Sequence, residues 1–281
     1  MREMFWRVGN KVSGSWMTIC IIGLALLCGS VMAQENSAED WIKKGDDLYS
    51  VGSHKEAIEA YDRALEIDPA YGNAWRGKGY SFGARAVLNE NLSDCKESLK
   101  AFDKAIDLIP ADDFRDLALA WEGKAISLNR MGNILDDTGN QEAAKGKRKE
   151  ALNAYDKAIE LDPDFTGIEA QLYRAGVVAE LGMLNESVAD YDKILEIMAI
   201  NDTMTSYVSI VWTGKGEVLE KMDRNEDALK AFDRALELDP TSAMAWEGKV
   251  DALRSLGRNS DADAVLAKAS DLGVAVDSGL E

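Results

Sequence analysis

Histidine and cysteine are scarce in this 281-residue sequence, which holds one histidine and three cysteines. Cys20 and Cys28 lie in an apolar stretch near the N-terminus, so a chain without that stretch keeps only Cys95. One thiol cannot form an intramolecular disulfide, and no thiol cluster exists for metal or redox chemistry. Carboxylates are plentiful, but no spacing distinguishes a catalytic pair. We therefore expect no catalytic residues, no metal and no cofactor, and predict that the protein is not an enzyme.

Basic residues are fewer than acidic residues, with 32 Lys and Arg against 50 Asp and Glu and a net charge of -18. Binding to nucleic acid or to an anionic lipid surface requires Lys and Arg to meet the phosphates, so the sequence argues against both. The one basic cluster, residues 145–149, has two interpretations. It is either a docking point for an acidic partner or the solvated end of a helix.

The N-terminal segment has the order of charges typical of an export signal. Arg2, Arg7 and Lys11 precede the apolar residues 16–32, and a polar stretch follows Ala33. Residues 1–33 therefore predict either a signal peptide cleaved after Ala33 or an uncleaved membrane anchor. Both alternatives export the rest of the chain, which would be secreted or held at the outer face of the cytoplasmic membrane. Contact with the membrane is expected only through residues 16–32, and only if they are retained.

A 15-residue segment recurs along the rest of the chain. In its first copy, Ala57 and Tyr61 fall on the apolar stripe of an amphipathic helix. Ser53 and Glu56 predict a capping box at the start of this helix, and Pro69 ends it. The copies are residues 55–69, 96–110, 149–163, 185–199, 226–240 and, more weakly, 260–274.

A second pattern precedes these segments. Five tryptophans mark its copies, with a small residue four positions later in several of them: Trp41, Trp75, Trp121, Trp212 and Trp246, followed by Gly45, Gly79, Ala125 and Gly216. Further glycines predict the turn between the two helices of a unit: Gly52, Gly132, Gly182 and Gly257. Each unit is therefore predicted to be an αα-hairpin.

This unit resembles the tetratricopeptide repeat (TPR). The first copy has the family's pattern of Trp41, Gly45, Leu48, Ala57, Tyr61, Ala64 and Pro69, whereas the fourth copy departs from it with Gln171 in place of Trp. The resemblance implies an all-α fold, an α-α superhelix (solenoid) of six TPR helix-turn-helix units. The array would span residues 34–276, with units at about 38–71, 72–112, 118–165, 168–201, 209–242 and 243–276, before a short tail at 277–281.

The spacing within the units is uneven. The second copy has seven extra residues between its Trp and its Pro and the third has fourteen, so we expect longer helices or loops in the middle of the array. An Asp followed by Lys or Arg comes after the aromatic residue of the second helix in five copies, as in Asp62-Arg63. We expect these charged steps to form solvated faces.

The resemblance also implies a function. First helices of TPR units line a concave groove that binds peptides or protein segments, which assigns the following groove residues here: Asp46, Tyr49, Arg76, Tyr80, Glu122, Asn129, Arg130, Glu180, Glu217, Glu220, Lys221, Glu247, Asp251 and Arg254. Because the C-terminal half of this set is acidic, we expect a basic or neutral protein or peptide partner. The chain is thus predicted to be an exported protein-binding scaffold or, alternatively, a membrane-anchored assembly or biogenesis factor of the cell envelope. Asn91, Asn185 and Asn201 are candidate glycosylation sites.

Overall fold

A computed structural model describes residues 37–163, 166–199 and 205–276. Within these ranges it contains no β-strand, which confirms the predicted all-α fold. The helices are α1 (Ala38–Ser50), α2 (His54–Ile67), α3 (Gly72–Asn89), α4 (Leu92–Leu108), α5 (Phe114–Asp137), α6 (Gln141–Leu161), α7 (Thr166–Glu180), α8 (Leu184–Ala199), α9 (Thr205–Lys221), α10 (Asn225–Leu238), α11 (Ala243–Ser255) and α12 (Asn259–Asp271). The predicted signal or anchor segment 1–33, the tail 277–281 and Asn201 lie outside the described residues.

The helices form two layers. Each helix packs against the next one along the chain, and each odd-numbered helix also contacts the next odd-numbered helix. Among the described residues no even-numbered helix contacts another even-numbered helix. The odd-numbered helices are therefore the inner layer of a curved array and the even-numbered helices the outer layer. This arrangement confirms the predicted superhelix, in which each unit packs only against its neighbours.

Proline ends the outer helix in four units, as the sequence predicts. Helix α2 ends at Ile67, and Asp68 takes an extended conformation (φ -132°, ψ 94°) before Pro69. In two units the tryptophan of the next inner helix bonds to this proline. The indole N–H groups of Trp75 and Trp246 donate to the carbonyls of Pro69 and Pro240 at 3.0 and 2.9 Å.

The extra residues in the second and third units lengthen helices. Helices α1 and α2 have 13 and 14 residues, α3 and α4 have 18 and 17, and α5 and α6 have 24 and 21. Seven extra residues add about one turn to each helix of an antiparallel pair, and fourteen add about two, so the facing sides keep their register. The prediction that Gly132 marks a turn is wrong, because α5 continues to Asp137. The turn glycine is Gly139, at φ +80°.

We call the contact between an outer helix and the next inner helix a joint. At four of the five joints an aromatic ring packs against a glycine two residues after the tryptophan. A Cβ atom on Gly77 would lie 2.5 Å from Cζ of Tyr61, closer than Cβ atoms come in real structures. The same contact recurs between Phe102 and Gly123, Tyr191 and Gly214, and Phe232 and Gly248. The absence of a side chain therefore sets how closely adjacent units pack.

An ion pair accompanies each joint. The aspartate after the aromatic residue contacts the basic residue three positions after the tryptophan, or after Gln171: Asp62–Lys78, Asp103–Lys124, Asp156–Arg174, Asp192–Lys215 and Asp233–Lys249. The basic side chains are 16–25% exposed and the aspartates 46–57%. The exposure of the aspartates agrees with the expected solvated faces, and each half-exposed pair contributes at most about 1 kcal/mol.

One other local prediction is wrong. The Ser53 side chain makes no capping hydrogen bond, and the capping box forms instead at Ser37, whose side chain bonds to the backbone of Asp40. Arg148, part of the basic cluster at 145–149, is buried (8% exposed) and pairs with carboxylates. It is therefore a packing residue and does not belong to a docking surface. None of the helices in the described ranges is both long and apolar enough to cross a membrane.

Candidate protein-binding groove

The inner helices present the same helical positions to the groove. Asp46 and Tyr80 lie five residues after the tryptophan of their units, and Tyr49 lies eight residues after Trp41. A spacing of three and four residues keeps such positions on one face of a helix. The sequence thus places the predicted groove residues along one surface, which contains two cavities.

The N-terminal groove cavity lies between α1 and α3 and has a volume of about 330 Å³. It brings four of the predicted residues together, and its lining consists of Ile42, Asp46, Tyr49, Tyr61, Tyr71, Asn73, Arg76, Gly77 and Tyr80. Asp46 accepts a hydrogen bond from the Tyr61 hydroxyl (2.6 Å), and Arg76 pairs with Asp116 at 3.3 Å. Burial raises the pKa of Tyr49. This cavity is therefore aromatic, with its charges largely paired internally.

The C-terminal groove cavity, of about 310 Å³, lies among α5, α7, α9 and α11. It contains three predicted residues, and its lining is Asn129, Leu172, Tyr173, Gly176, Val177, Glu180, Tyr191, Ile210, Thr213, Gly214, Glu217, Ser242 and Met244. Tyr173, Ile210 and Met244 are 43%, 54% and 62% exposed. Large apolar side chains exposed beside carboxylates are typical of surfaces that bind protein segments.

The apolar part of this cavity was not predicted. Ile210 and Met244 lie two residues before Trp212 and Trp246, and Tyr173 lies two residues after Gln171. These positions are on the same helix face as the predicted ones, so extending the helical period by one turn toward the N-terminus would have found Ile210 and Met244.

The negative charges of the carboxylates in the C-terminal groove are only partly neutralised by basic side chains. Glu180 accepts a hydrogen bond from Arg148 Nε (2.8 Å), so one of its oxygens is already used. Glu217 and Glu220 form no ion pair with the described part of the chain. Burial raises the pKa of Glu217, and burial together with the charges of Asp251 and Glu217 raises the pKa of Glu220. A cationic partner would relieve this repulsion.

Glu122 lies on α5 next to Trp121, is only 5% exposed, and its Oε1 has no hydrogen-bond partner among the described residues. Burial first, and the charge of Glu169 second, raise the pKa of Glu122 to about 7. The charge of Glu122 in turn contributes to the raised pKa values of Tyr80 and Tyr155, for which burial is the first cause. The middle of the inner surface thus holds a buried carboxyl group among phenols.

The remaining predicted groove residues lie outside both cavities. Arg130 donates to the carbonyl of Val87 (3.2 Å). Glu122 lies on α5 with Arg130, and the other five are on the last two inner helices, α9 and α11: Glu220, Lys221, Glu247, Asp251 and Arg254. The structure therefore gathers seven of the fourteen predicted residues at the two cavities and places the rest on the same inner helices.

The two described sequons lie at the starts of outer helices. Asn91 caps α4: its Oδ1 accepts from the backbone N–H of Asp94 (2.8 Å) and its Nδ2 donates to the Asp94 carboxylate (3.1 Å). Asn185 is exposed near the start of α8. Within the described ranges no group of three or more His, Cys, Asp or Glu side chains could hold a metal ion. Burial raises the pKa of the Cys95 thiol, which disfavours the reactive thiolate.

Comparison with known proteins identifies the repeat. Models of the tetratricopeptide repeat match residues 144–165 and 209–242, and a TPR repeat model matches residues 45–84. Tetratricopeptide repeat protein 14 of Mus musculus is 29% identical over 96 residues, covering 34% of this chain and 12% of that protein. Protein O-mannosyl-transferase TMTC3 of Homo sapiens is 23% identical over 220 residues, covering 78% of this chain and 22% of that protein. The chain thus spans less than a quarter of the length of either relative.

The fold matches a solved structure over most of its length. PilW, described as a widely conserved type IV pilus biogenesis factor, superimposes with a TM-score of 0.60 at 16% identity, covering 83% of this chain and 92% of that one. This likeness concerns the fold alone. The repeat matches in three parts of the chain, with the six helix pairs, show that the chain contains tetratricopeptide repeats.

Proposed function

We propose that this protein is an exported, non-catalytic scaffold that binds a basic or neutral segment of a partner protein along its inner groove. The observation that carries the proposal is the C-terminal groove cavity, where Tyr173, Ile210 and Met244 are exposed beside Glu217. Apolar contacts would supply affinity, and the carboxylates would select against acidic segments. The scarcity of histidine and cysteine supports a role in binding without catalysis.

A blocked nonapeptide library in three sets, basic, neutral and acidic, tests the binding proposal on the purified full chain. Fluorescence anisotropy should show saturable binding of basic or neutral peptides. The double variant Glu217→Lys/Glu220→Lys should weaken the binding of basic peptides by about tenfold or more. Glu196→Lys/Asp263→Lys makes the same charge change at exposed positions on outer helices and should leave affinity unchanged. Equal effects of the two double variants, or preferential binding of acidic peptides, would contradict the proposal.

Export is supported by the basic, apolar and polar order of residues 1–36. The alternative, a membrane-anchored factor for assembly or biogenesis of the cell envelope, differs in whether residues 16–32 are retained. Fractionation of cells that produce the tagged chain, followed by N-terminal sequencing, separates the two. A new terminus at Gln34 supports cleavage, and an intact terminus in the membrane fraction supports the anchor. Intact Met1 on soluble cytoplasmic protein would contradict export in either form.

A further inference from the structure

The joint between the third and fourth units differs from the other four. Where they have glycine, this joint has Tyr173, whose ring stacks on Tyr155 at 6.4 Å between centroids and 24° between planes. Tyr155 is 1% exposed and Tyr173 is 43% exposed. Tyr173, in the place of glycine, therefore adds a second aromatic ring at this joint. Part of the Tyr173 ring is exposed in the groove.

The charge of Glu122 acts on the pKa of Tyr80 from α3, of Tyr155 from α6 and of Tyr173 from α7. Two hydrogen bonds place the same groups: the Tyr80 hydroxyl donates to the carbonyl of Leu119, one turn before Glu122 (2.7 Å), and the Tyr173 hydroxyl donates to Glu169 (3.4 Å). Glu169 from α7 is the one charged group that acts on the pKa of Glu122 within the described residues, and no basic side chain there offsets it. A buried acceptor without a donor is unfavourable unless a ligand supplies one.

We infer that Glu122 and Glu169, with the ring of Tyr173, form a subsite for one cationic side chain, lysine or arginine, of the bound segment. Two carboxylates would share the charge, and an aromatic face beside them attracts a cation. This inference rests on the proposed function, since the cation would belong to a segment lying in the groove.

A second acceptor on the same helix fits this assignment. Asn129 lies seven residues, about two turns, after Glu122 on α5 and lines the C-terminal groove cavity. Its Oδ1 is buried and has no hydrogen-bond partner in the part of the chain that the structure describes. A segment whose cationic side chain reached Glu122 would run past this oxygen, which could accept a backbone N–H.

Proton linkage gives the subsite a pH dependence. The titratable groups that face Glu122 are Tyr80, Tyr155, Tyr173 and Glu169, and the phenols stay protonated at neutral pH because burial raises their pKa values. Burial and Glu169 raise the pKa of Glu122 to about 7, so the anionic form grows between pH 6 and 8. A cation binds that anionic form, so its affinity should rise with pH by about tenfold over this range.

The lysine side-chain analogue n-butylammonium tests the subsite without knowledge of the natural partner. The full chain labelled with 3-fluorotyrosine would be titrated and followed by ¹⁹F NMR, with the signals of Tyr80, Tyr155 and Tyr173 assigned by Tyr→Phe variants. We expect saturable shifts of these signals at pH 8 and about tenfold weaker binding at pH 6. Neutral n-butanol should not reproduce them. Glu122→Gln should abolish the response, and Glu196→Gln, the same change at an exposed position of the outer helix α8, should preserve it.

Shifts that persist unchanged in Glu122→Gln, or the absence of any saturable shift, would overturn the subsite. Circular dichroism of Glu122→Gln establishes that the variant is folded, so a lost response reports the carboxylate. The peptide library separates this failure from failure of the proposed function. If peptides with lysine, arginine or acetyl-lysine at a central position bind equally well, the subsite is contradicted. Binding of a segment in the groove is then still supported.

Discussion

Gly77→Ala tests whether the glycine joints set the packing of the units. A Cβ on Gly77 would lie 2.5 Å from Tyr61 Cζ, about 0.9 Å short of the 3.4 Å at which ordinary contacts begin. The Tyr61 ring is 1% exposed, and its hydroxyl is bonded to Asp46. It would also meet a Cβ on Gly45 at 2.6 Å, so close packing surrounds it within its own unit as well. Overpacking of this kind costs about 1–3 kcal/mol.

Gly146→Ala is the matched control, because Gly146 is also inside a helix and a Cβ there meets nothing within 4 Å. Replacing a helical glycine by alanine stabilises by about 0.5–1 kcal/mol, a gain that both variants share. Gly146→Ala should therefore be more stable than the parent chain, and Gly77→Ala should be about 1–3 kcal/mol less stable than Gly146→Ala. In a Tyr61→Leu background the alanine at position 77 should regain most of that difference.

Urea denaturation followed by circular dichroism at 222 nm and by tryptophan fluorescence measures these differences. Trp75, two residues before Gly77, contributes to the fluorescence together with the other six tryptophans, while circular dichroism reports the helices of the whole array. Both signals are needed because neighbouring units of a repeat array can unfold separately. Equal stabilisation by Gly77→Ala and Gly146→Ala would refute the role assigned to the glycine.

Three further predictions concern charged groups. A double-mutant cycle of Asp233→Asn and Lys249→Met should give a coupling of about 0.5 kcal/mol that decreases in 1 M salt. Glu122 holds a proton in the folded state between its ordinary pKa of 4.5 and about 7, where the unfolded chain releases it, so stability should fall as pH rises through this window. In Glu122→Gln the decrease in the free energy of unfolding over this pH window should be about 3 kcal/mol smaller than in the parent chain. Arg148→Met should lower stability by about 2–3 kcal/mol, because its partner carboxylates would lose their cation.

Each of these changes has a control and a contradicting result. The exposed pair Arg234–Glu237 lies within one helix and should show no coupling to Lys249, and equal coupling would contradict a specific joint contact. Parallel pH profiles of the parent chain and Glu122→Gln would contradict a buried titrating carboxyl. Lys147→Met changes the neighbouring residue, whose pair with Glu150 spans one helical turn, and should alter stability by less than about 0.5 kcal/mol. A loss equal to that of Arg148→Met would contradict the buried pairing.

The repeat period, the helix ends and the inner helix face could be predicted because each depends on local sequence. Proline in the interior of a helical pattern ends the helix, as Pro69 does. The 3.6-residue period fixes which residues share a face. Gly132 was misassigned because glycine is compatible with both a turn and a tightly packed helix. Its packing against the Arg148 side chain depends on the outer helix that follows it, which local sequence does not specify.

The joint contacts and the surroundings of Glu122 could not be predicted from one unit. The glycine two residues after four of the tryptophans is explained only by the aromatic ring of the preceding unit. Glu122 has the same sequence context as Glu247, since each follows a tryptophan and precedes a glycine. Glu122 is fully buried and Glu247 only half-buried. The charge of Glu122 acts on three tyrosines from other helices, which one unit's sequence does not reveal.

The joints also have a direction, which bears on how copies of the chain can associate. A joint needs an aromatic-Asp pair on the outer helix and, in four of five cases, a Gly-Lys pair on the inner helix that receives it. At the corresponding positions the sixth unit has Leu266 and Ala267, and the first has Lys43 and Lys44. A contact between the sixth outer helix and the first inner helix of another copy would therefore lack the aromatic ring, the aspartate and the glycine of the glycine joints. An internal unit has both the residues that its outer helix contributes to a joint and those that its inner helix contributes. Duplication of a whole unit would therefore lengthen the array through the same contact.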